Sequence, residues 1–398
     1  MKVQTNVDRI FDRVIDRRNT YSVKYDFSSR GKPEDVLPLW VADMDFRAPE
    51  CVTDALIRQS RHGVYGYSDI NEPYFMAVKN WFWKRFYWNI ERDWLVVSPG
   101  VVNAINVAIC AFSEPGDGVL IQEPVYHPFA SSIDANNRKT VVNELRYENH
   151  AYSIDFKDFE RKIAGGQVKL FILCSPHNPV GRVWTQDELI KMGEICAHNN
   201  VIVISDEIHQ DFIHKGHKHF VFEMQNKAFR DIAITCTAPT KTFNLAGLPI
   251  ANIIIANEQL REKFVLESAR NGLAFPGIMN IVACKAAYEG GEEWLDNLLE
   301  YLAGNFHYLD EFLSENIPTI KLVKPEGTYL AWLDFHKYKF WGPDLGDKIL
   351  NEGRLWLNDG PIFGAGGKGF QRMNVACPRI VLWEALKRLE KAARALTK

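Results

Sequence analysis

The sequence has no C-x-x-C pair, no surplus of either charge and no apolar run long enough to span a bilayer, and each absence removes a class of function. Cysteine is sparse, seven in 398 residues, and the count is odd. Several of these cysteines sit inside apolar patterns, as Cys174 does in "LFILCSP". They read as reduced core residues of a cytoplasmic protein rather than a disulfide framework, and no local signature marks a catalytic thiol. The 47 basic and 50 acidic residues are mixed along the chain, for a formal net charge of −3. A nucleic-acid or polyanion binder needs a basic field that is missing here. No stretch has the length of a membrane span. The start, "MKVQTNVDRIFDRVIDRR", lacks an apolar core, so no signal peptide is expected. Internal repeats, low-complexity tracts and obvious linkers are also missing. What remains is an ordinary globular composition, 46% hydrophobic and 24% charged, in a chain long enough for two domains or one large α/β domain with a lobe.

From about residue 95 to 256, short apolar runs alternate with helical patterns: "WLVVS", "GVLIQ", "TVVNEL", "VKLFILC", "VIVISD", "DIAITCT" and "IANIIIA". They are rich in Val and Ile with little polar alternation, the pattern of strands covered on both faces. Between two of them, "TQDELIKMGEICAHNN" opens with a capping box, Thr185 and Glu188. Alternating β and α elements predict an α/β fold, a mostly parallel seven-stranded sheet between helices. Beyond residue 257 the pattern shifts to long helices, two strands ("TYLAWLDF", "FQRMNVA") and a final amphipathic helix from Arg379, which predicts a smaller α+β domain. The expected division is a large domain over 49–283, with the N-terminal arm 1–48 and the segment 284–398 forming the smaller one.

Ligands in open α/β sheets bind beyond the carboxyl ends of the strands. After "WLVV" comes a turn opening a helix at Gly100, Val101 and Val102, whose free N–H groups suit a phosphate. After "GVLIQ" comes Tyr126, and after "LFILC" comes Asn178. "VIVIS" ends at Asp206, and "DIAITCT" leads into Lys241. Singly these are a turn, a core aromatic, an Asn-Pro turn, a helix cap and a solvated lysine. Together they match one ligand, pyridoxal phosphate. It offers an aldehyde for an amine, a ring nitrogen for a carboxylate, a phenolic oxygen for an amide, a ring to stack and a phosphate.

The stretches "LPLWVADMDF", "GVYGYSD", "SPGVV", "PVYHPF", "SPHNPVGRVW", "SDEIHQDF", "TAPTKTFNLAG", "EGTYLAWLDF" and "GFQRMNVACP" carry the chain further. Over nearly its full length it resembles the fold-type-I pyridoxal phosphate enzymes of the aspartate aminotransferase superfamily. Within them it is most similar to the C–S lyases of the cystathionine β-lyase and cystalysin type. The resemblance implies that Lys241 binds the cofactor aldehyde and Asp206 pairs with the ring nitrogen. Asn178 then bonds the phenolic oxygen and lies against the substrate, and Tyr126 stacks on the ring. Gly100, Val101, Val102 and Thr240 hold phosphate, and Tyr67 reaches the cofactor of a neighbouring subunit in a homodimer with shared sites. Arg372 grips the substrate α-carboxylate bidentately.

Two departures from the aminotransferases favour the lyase subgroup. Pro249 stands where they commonly carry a phosphate-binding arginine. His209 stands where the aspartate aminotransferases have a tyrosine beside the cofactor, and it is counted with the cofactor contacts. A second arginine to read a dicarboxylic substrate has no clear match. The implied reaction is α,β-elimination from cystathionine or another S-substituted cysteine. Transamination stays open, as does a regulatory role through protein partners. Three motifs point elsewhere. "GAGGKG", Gly364 to Gly369, precedes a strand rather than following one, so it reads as a mobile glycine loop near Arg372 and not a dinucleotide fingerprint. "HKGHKH", His214 to His219, reads as a solvated loop rather than a metal site. "WFWKRFYW", Trp81 to Trp88, reads as helix packing or a dimer contact.

Overall fold

The computed structural model describes residues 10–26, 31–272, 276–338 and 343–396. Each of the seven apolar runs forms a strand: β1 (Leu95–Ser98), β2 (Gly118–Ile121), β3 (Lys139–Val142), β4 (Val168–Cys174), β5 (Ile202–Asp206), β6 (Ala233–Thr237) and β7 (Ala251–Ile254). They lie in one sheet in the order β1-β7-β6-β5-β4-β2-β3. Strand β7 runs antiparallel to both neighbours, and the pairings from β6 to β3 are parallel. Because β7 reverses twice, β1 points the same way as β6. The carboxyl ends of β1, β2, β4, β5 and β6 therefore share one edge.

The missing polar alternation has a direct cause. Along β4, Leu170, Ile172 and Cys174 enter one buried cluster with the helix α1 (Val101–Phe112), while Phe171 and Leu173 enter another on the opposite face. Burial on both faces keeps Leu170 to Cys174 uninterruptedly apolar, while Lys169 near the start of the strand is exposed. The capping box forms as expected, with Glu188 N–H donating to Thr185 Oγ1 at 3.2 Å and Thr185 N–H to Glu188 Oε2 at 2.8 Å.

A second, antiparallel sheet holds β8 (Lys321–Leu322), β9 (Leu330–Asp334), β10 (Asn358–Asp359) and β11 (Phe370–Asn374), in the order β8-β9-β11-β10. The helices Glu292–Asn316 and Arg379–Leu396 supply its core through residues such as Leu309, Leu313, Leu386 and Leu389. The helix Ile278–Gly290 spans the expected 283/284 boundary. The N-terminal arm serves both cores: Phe11, Met44 and Phe46 join the cluster of Trp81 and Leu298, whereas Leu39 joins that of Leu309. Among the described residues no helix is long and apolar enough to cross a membrane.

Two loop expectations need correction. The glycine stretch near Arg372 is a packed pair of turns rather than an open loop. A Cβ on Gly360 would lie 1.8 Å from Gly367 O, and one on Gly364 would lie 2.1 Å from Glu123 Oε2. In "HKGHKH" the ends are not solvated. The His214 ring lies 3.1 Å from Pro325 O and 2.8 Å from Thr328 O, and buried His219 lies 2.7 Å from Glu207 Oε2. The aromatic stretch packs on one face only, since Trp83 and Tyr87 are exposed. Trp81 and Phe82 are buried on the helix Glu72–Phe86, as is Trp88 just beyond it.

Candidate active site

Strand β6 ends at Thr237, and Lys241 follows on a single helical turn, α2 (Pro239–Thr242), rather than in an open loop. Pro239 starts that turn, and Thr242 Oγ1 fastens it by donating to buried Asp211 Oδ2 at 2.7 Å. Lys241 Nζ donates to Ala42 O at 2.6 Å. Burial, with the Arg372 charge second, pulls the amine down to about 8. A lysine so placed reaches its neutral, nucleophilic form near physiological pH.

Asp206 closes β5, buried, with Ile208 N–H donating to its Oδ1 at 3.1 Å. Burial outweighs that bond and the nearby Lys241 charge, and raises the carboxyl to about 7. It is a carboxylate short of a counter-charge. His209, also buried, has no partner for Nδ1 among the described residues, and burial beside Lys241 and Arg372 keeps its imidazole neutral.

Arg372 arrives from the other sheet, on β11. Nη1 donates to Asn178 Oδ1 at 3.0 Å, and Nη2 donates to Trp40 O at 2.9 Å and to Asn358 Oδ1. Its guanidinium lies 4.8 Å over the Phe363 ring. Its Nε is buried without a partner among the described residues, and burial lowers the whole group to about 10. A buried guanidinium with an unsatisfied N–H fits an anion that the structure does not itself provide. Tyr126 feels both Arg372 and Asp206, and burial raises its phenol.

At the end of β1, Gly100 takes φ 153° and caps α1, with nothing within 4 Å of where a Cβ would stand. Val101 and Val102 are the first residues of α1, whose leading N–H groups have no partner within the helix, an arrangement suited to a phosphate. Thr240 shares the turn of Lys241. Tyr67 is 96% exposed, in a stretch with neither helix nor strand. Pro249 is exposed, and its carbonyl accepts from Asn280 Nδ2 at 2.9 Å. It contributes no cation.

The site also has a roof that residue types did not announce. Residues 39–46 cross it as a strap. Trp40 O faces Arg372 and Ala42 O faces Lys241. Asn374 Nδ2 donates to Val41 O at 2.7 Å and to Asp43 O at 2.5 Å. Asn244 pins Met44 through both its N–H and its carbonyl, each at 2.9 Å. From the N-terminal arm, Arg17 forks onto Asp43 and reaches Asp45 at 2.8 Å, while fully buried Lys24 meets Asp45 at 2.8 Å. Backbone acceptors leave no trace in composition. The one signal was that "LPLWVADMDF" belongs to the resemblance.

A lysine near neutrality, a buried carboxylate and a helix N-terminus at the carboxyl edge of one α/β sheet, met by an unsatisfied guanidinium from the second sheet, define a class of protein. The chain belongs to the aminotransferase class I and II family, whose model matches residues 34–389. Within it, the chain is 43% identical over 383 residues to the cystathionine beta-lyase PatB of Bacillus subtilis, covering 96% of this chain and 99% of that protein. Its fold matches that of cystalysin from Treponema denticola, solved with pyridoxal 5′-phosphate, at a TM-score of 0.94 and 38% identity, covering 97% and 99% of the two chains. The pyridoxal phosphate-bound C–S lyase from Staphylococcus hominis matches at 0.92 and 33%, over 100% and 99%.

Proposed function

We propose that this chain is a pyridoxal phosphate-dependent carbon–sulfur β-lyase that cleaves L-cystathionine or related S-substituted cysteines to a thiol, pyruvate and ammonia. The observation that carries it is the meeting of Lys241, Asp206 and Arg372 at one sheet edge, in a chain whose relatives include cystathionine and C–S lyases. The residues fit the cofactor: Lys241 for the aldehyde, Asp206 for the ring nitrogen, Asn178 for the phenolic oxygen and Tyr126 against the ring. His209 would line the cofactor pocket as a neutral side chain, and the N–H groups from Gly100 to Val102 with Thr240 would hold the phosphate. When bound, the cofactor supplies an electron sink for negative charge at the substrate Cα. Arg372 and Asn178 orient the substrate carboxylate. The Lys241 amine, neutral once its pH midpoint is passed, takes the Cα proton onto Nζ. Asp206 holds the negative charge that keeps the ring nitrogen protonated. Loss of the Cβ–S bond expels the thiolate, which can take up the proton held on Nζ, and one water hydrolyses the remaining three-carbon fragment to pyruvate and ammonia.

Incubation with L-cystathionine should release thiol and pyruvate together. Arg372→Ala should raise KM for it by about a hundredfold, the loss of a bidentate charge-assisted contact. Amine transfer to an α-keto acid without thiol release would sink the lyase reading, and an unmoved KM would sink the carboxylate assignment.

The division near residue 283, a cytoplasmic setting and a homodimer with shared sites complete the proposal. Tyr67 supports the dimer: with Val64 (66% exposed) and Tyr65 (59%) it forms an apolar, exposed stretch suited to burial against a second copy. Light scattering should give twice the 45.7 kDa chain mass, and Tyr67→Ala should weaken cofactor retention. A fully active monomer at micromolar concentration would refute it.

A further inference from the structure

Lys241 Nζ is not the only donor on Ala42 O. The Tyr329 hydroxyl donates to the same oxygen at 2.9 Å, against 2.6 Å for the amine. Tyr329 is fully buried. Its ring packs edge-on against Phe212 at 4.8 Å and against His209 at 5.8 Å. The chain enters it through Thr328 at φ 67° and through Gly327, where a Cβ would lie 2.8 Å from Val183 Cγ2 and 2.9 Å from Phe212 O. Behind it, Val375 N–H donates to Tyr329 O at 3.0 Å. The oxygen between them is equally fixed, since the strap on either side of Ala42 is bonded to Arg372, Asn374 and Arg17.

We propose that Tyr329 is a positioning residue that sets the readiness of the Lys241 amine through the one carbonyl they share. This rests on Lys241 being the cofactor lysine. A backbone carbonyl has two lone pairs. With Tyr329 donating to one, the oxygen is held in register for the amine on the other. It is also a poorer acceptor there, because the first donor has already drawn on its charge. Less of the oxygen's dipole then serves an ammonium, and the neutral amine is favoured. The other groups acting on Lys241 are burial and Arg372, which favour the neutral form, and Asp43 and Asp206, which favour the charged one; neutral His209 adds no charge. Asp43 is itself held by Arg17, so the shared carbonyl is a contact through which a neutral side chain acts on the amine.

The test is capture of pyridoxal phosphate by the full-length apoprotein, followed by absorbance across pH. Capture forms a bond from Nζ to the aldehyde carbon and releases water, and only the neutral amine attacks. In the wild-type protein the rate should rise through a midpoint near 8. Tyr329→Phe removes one oxygen, keeps the ring packing and frees the second lone pair of Ala42 O. Its midpoint should move up by about one pH unit, so capture on the acid side slows about tenfold. Phe212→Leu, which loosens the same packing without touching the hydroxyl, should leave the midpoint in place. A Tyr329→Phe profile that superimposes on wild type or moves to lower pH overturns the proposal, as does an equal shift in Phe212→Leu. Borohydride trapping of wild-type protein on any other lysine overturns the cofactor assignment and the proposal with it.

Discussion

Lys241→Ala should fold, bind pyridoxal phosphate without a covalent bond and lose turnover by about ten-thousandfold. The fold should survive because, among the described residues, the Lys241 side chain hydrogen-bonds only to Ala42 O, while the α2 turn is held independently by Pro239 and by Thr242 on Asp211. The proposed phosphate site at Gly100 and the Asp206 carboxylate lie on other elements, so the non-covalent contacts expected for the cofactor should remain. What vanishes is both the nucleophile for the aldehyde and the base for the Cα proton, and general-base catalysis alone is worth about 10²- to 10⁴-fold. Borohydride reduction of wild-type protein should place a pyridoxyl group on Lys241, and the variant should carry none. Turnover within tenfold of wild type, or an unchanged label elsewhere, would remove Lys241 from the chemistry.

Much of this was legible in the sequence, for physical reasons. Strands buried on both faces leave uninterrupted apolar runs, so all seven strands of the large sheet could be found. Strand ends at one sheet edge gather polar groups, so Asp206, Asn178 and the lysine could be placed together. Arg372 came from the motif resemblance alone, since an arginine on a strand is otherwise unremarkable. The roof was not legible. Trp40 and Ala42 act through carbonyl oxygens that every residue type possesses. Tyr329 lay inside a recognised stretch, but only its hydroxyl distance to Ala42 O singles it out. The N-terminal arm divides itself between two cores because Phe11 and Phe46 face one and Leu39 the other, which periodicity across a short irregular segment cannot show. The Gly364–Gly369 stretch misled for a related reason: glycine marks both freedom and close approach, and here it is close approach.

Asp206→Asn should separate stability from catalysis. In the apoprotein the Asp206 carboxyl is raised from the ordinary carboxylate value to about 7, chiefly by burial. A carboxyl raised in the native state binds its proton more tightly there than in the unfolded chain. Native stability therefore falls as pH rises from about 4 to 7, and the full penalty is present above 7. Asparagine keeps an acceptor for Ile208 N–H and carries no charge to bury, so the variant apoprotein should melt about 2 °C or more above wild type at pH 8 and show no gain at pH 4. With cofactor bound the same substitution should be costly to catalysis, because the carboxylate would then serve as the counter-charge that keeps the ring nitrogen protonated. Its loss should cost roughly 3–4 kcal/mol of transition-state stabilisation, a few hundred- to a thousandfold in kcat at 1.36 kcal/mol per decade. KM for cystathionine should change little, since Arg372 is untouched. Thermal melts of apoprotein at the two pH values, set beside steady-state kinetics, measure both effects on one variant. A buried acid that destabilises the empty protein yet sustains turnover is kept for its chemistry. If the variant is no more stable at pH 8 and turns over normally with cofactor bound, Asp206 is a structural cap on β5 and nothing more.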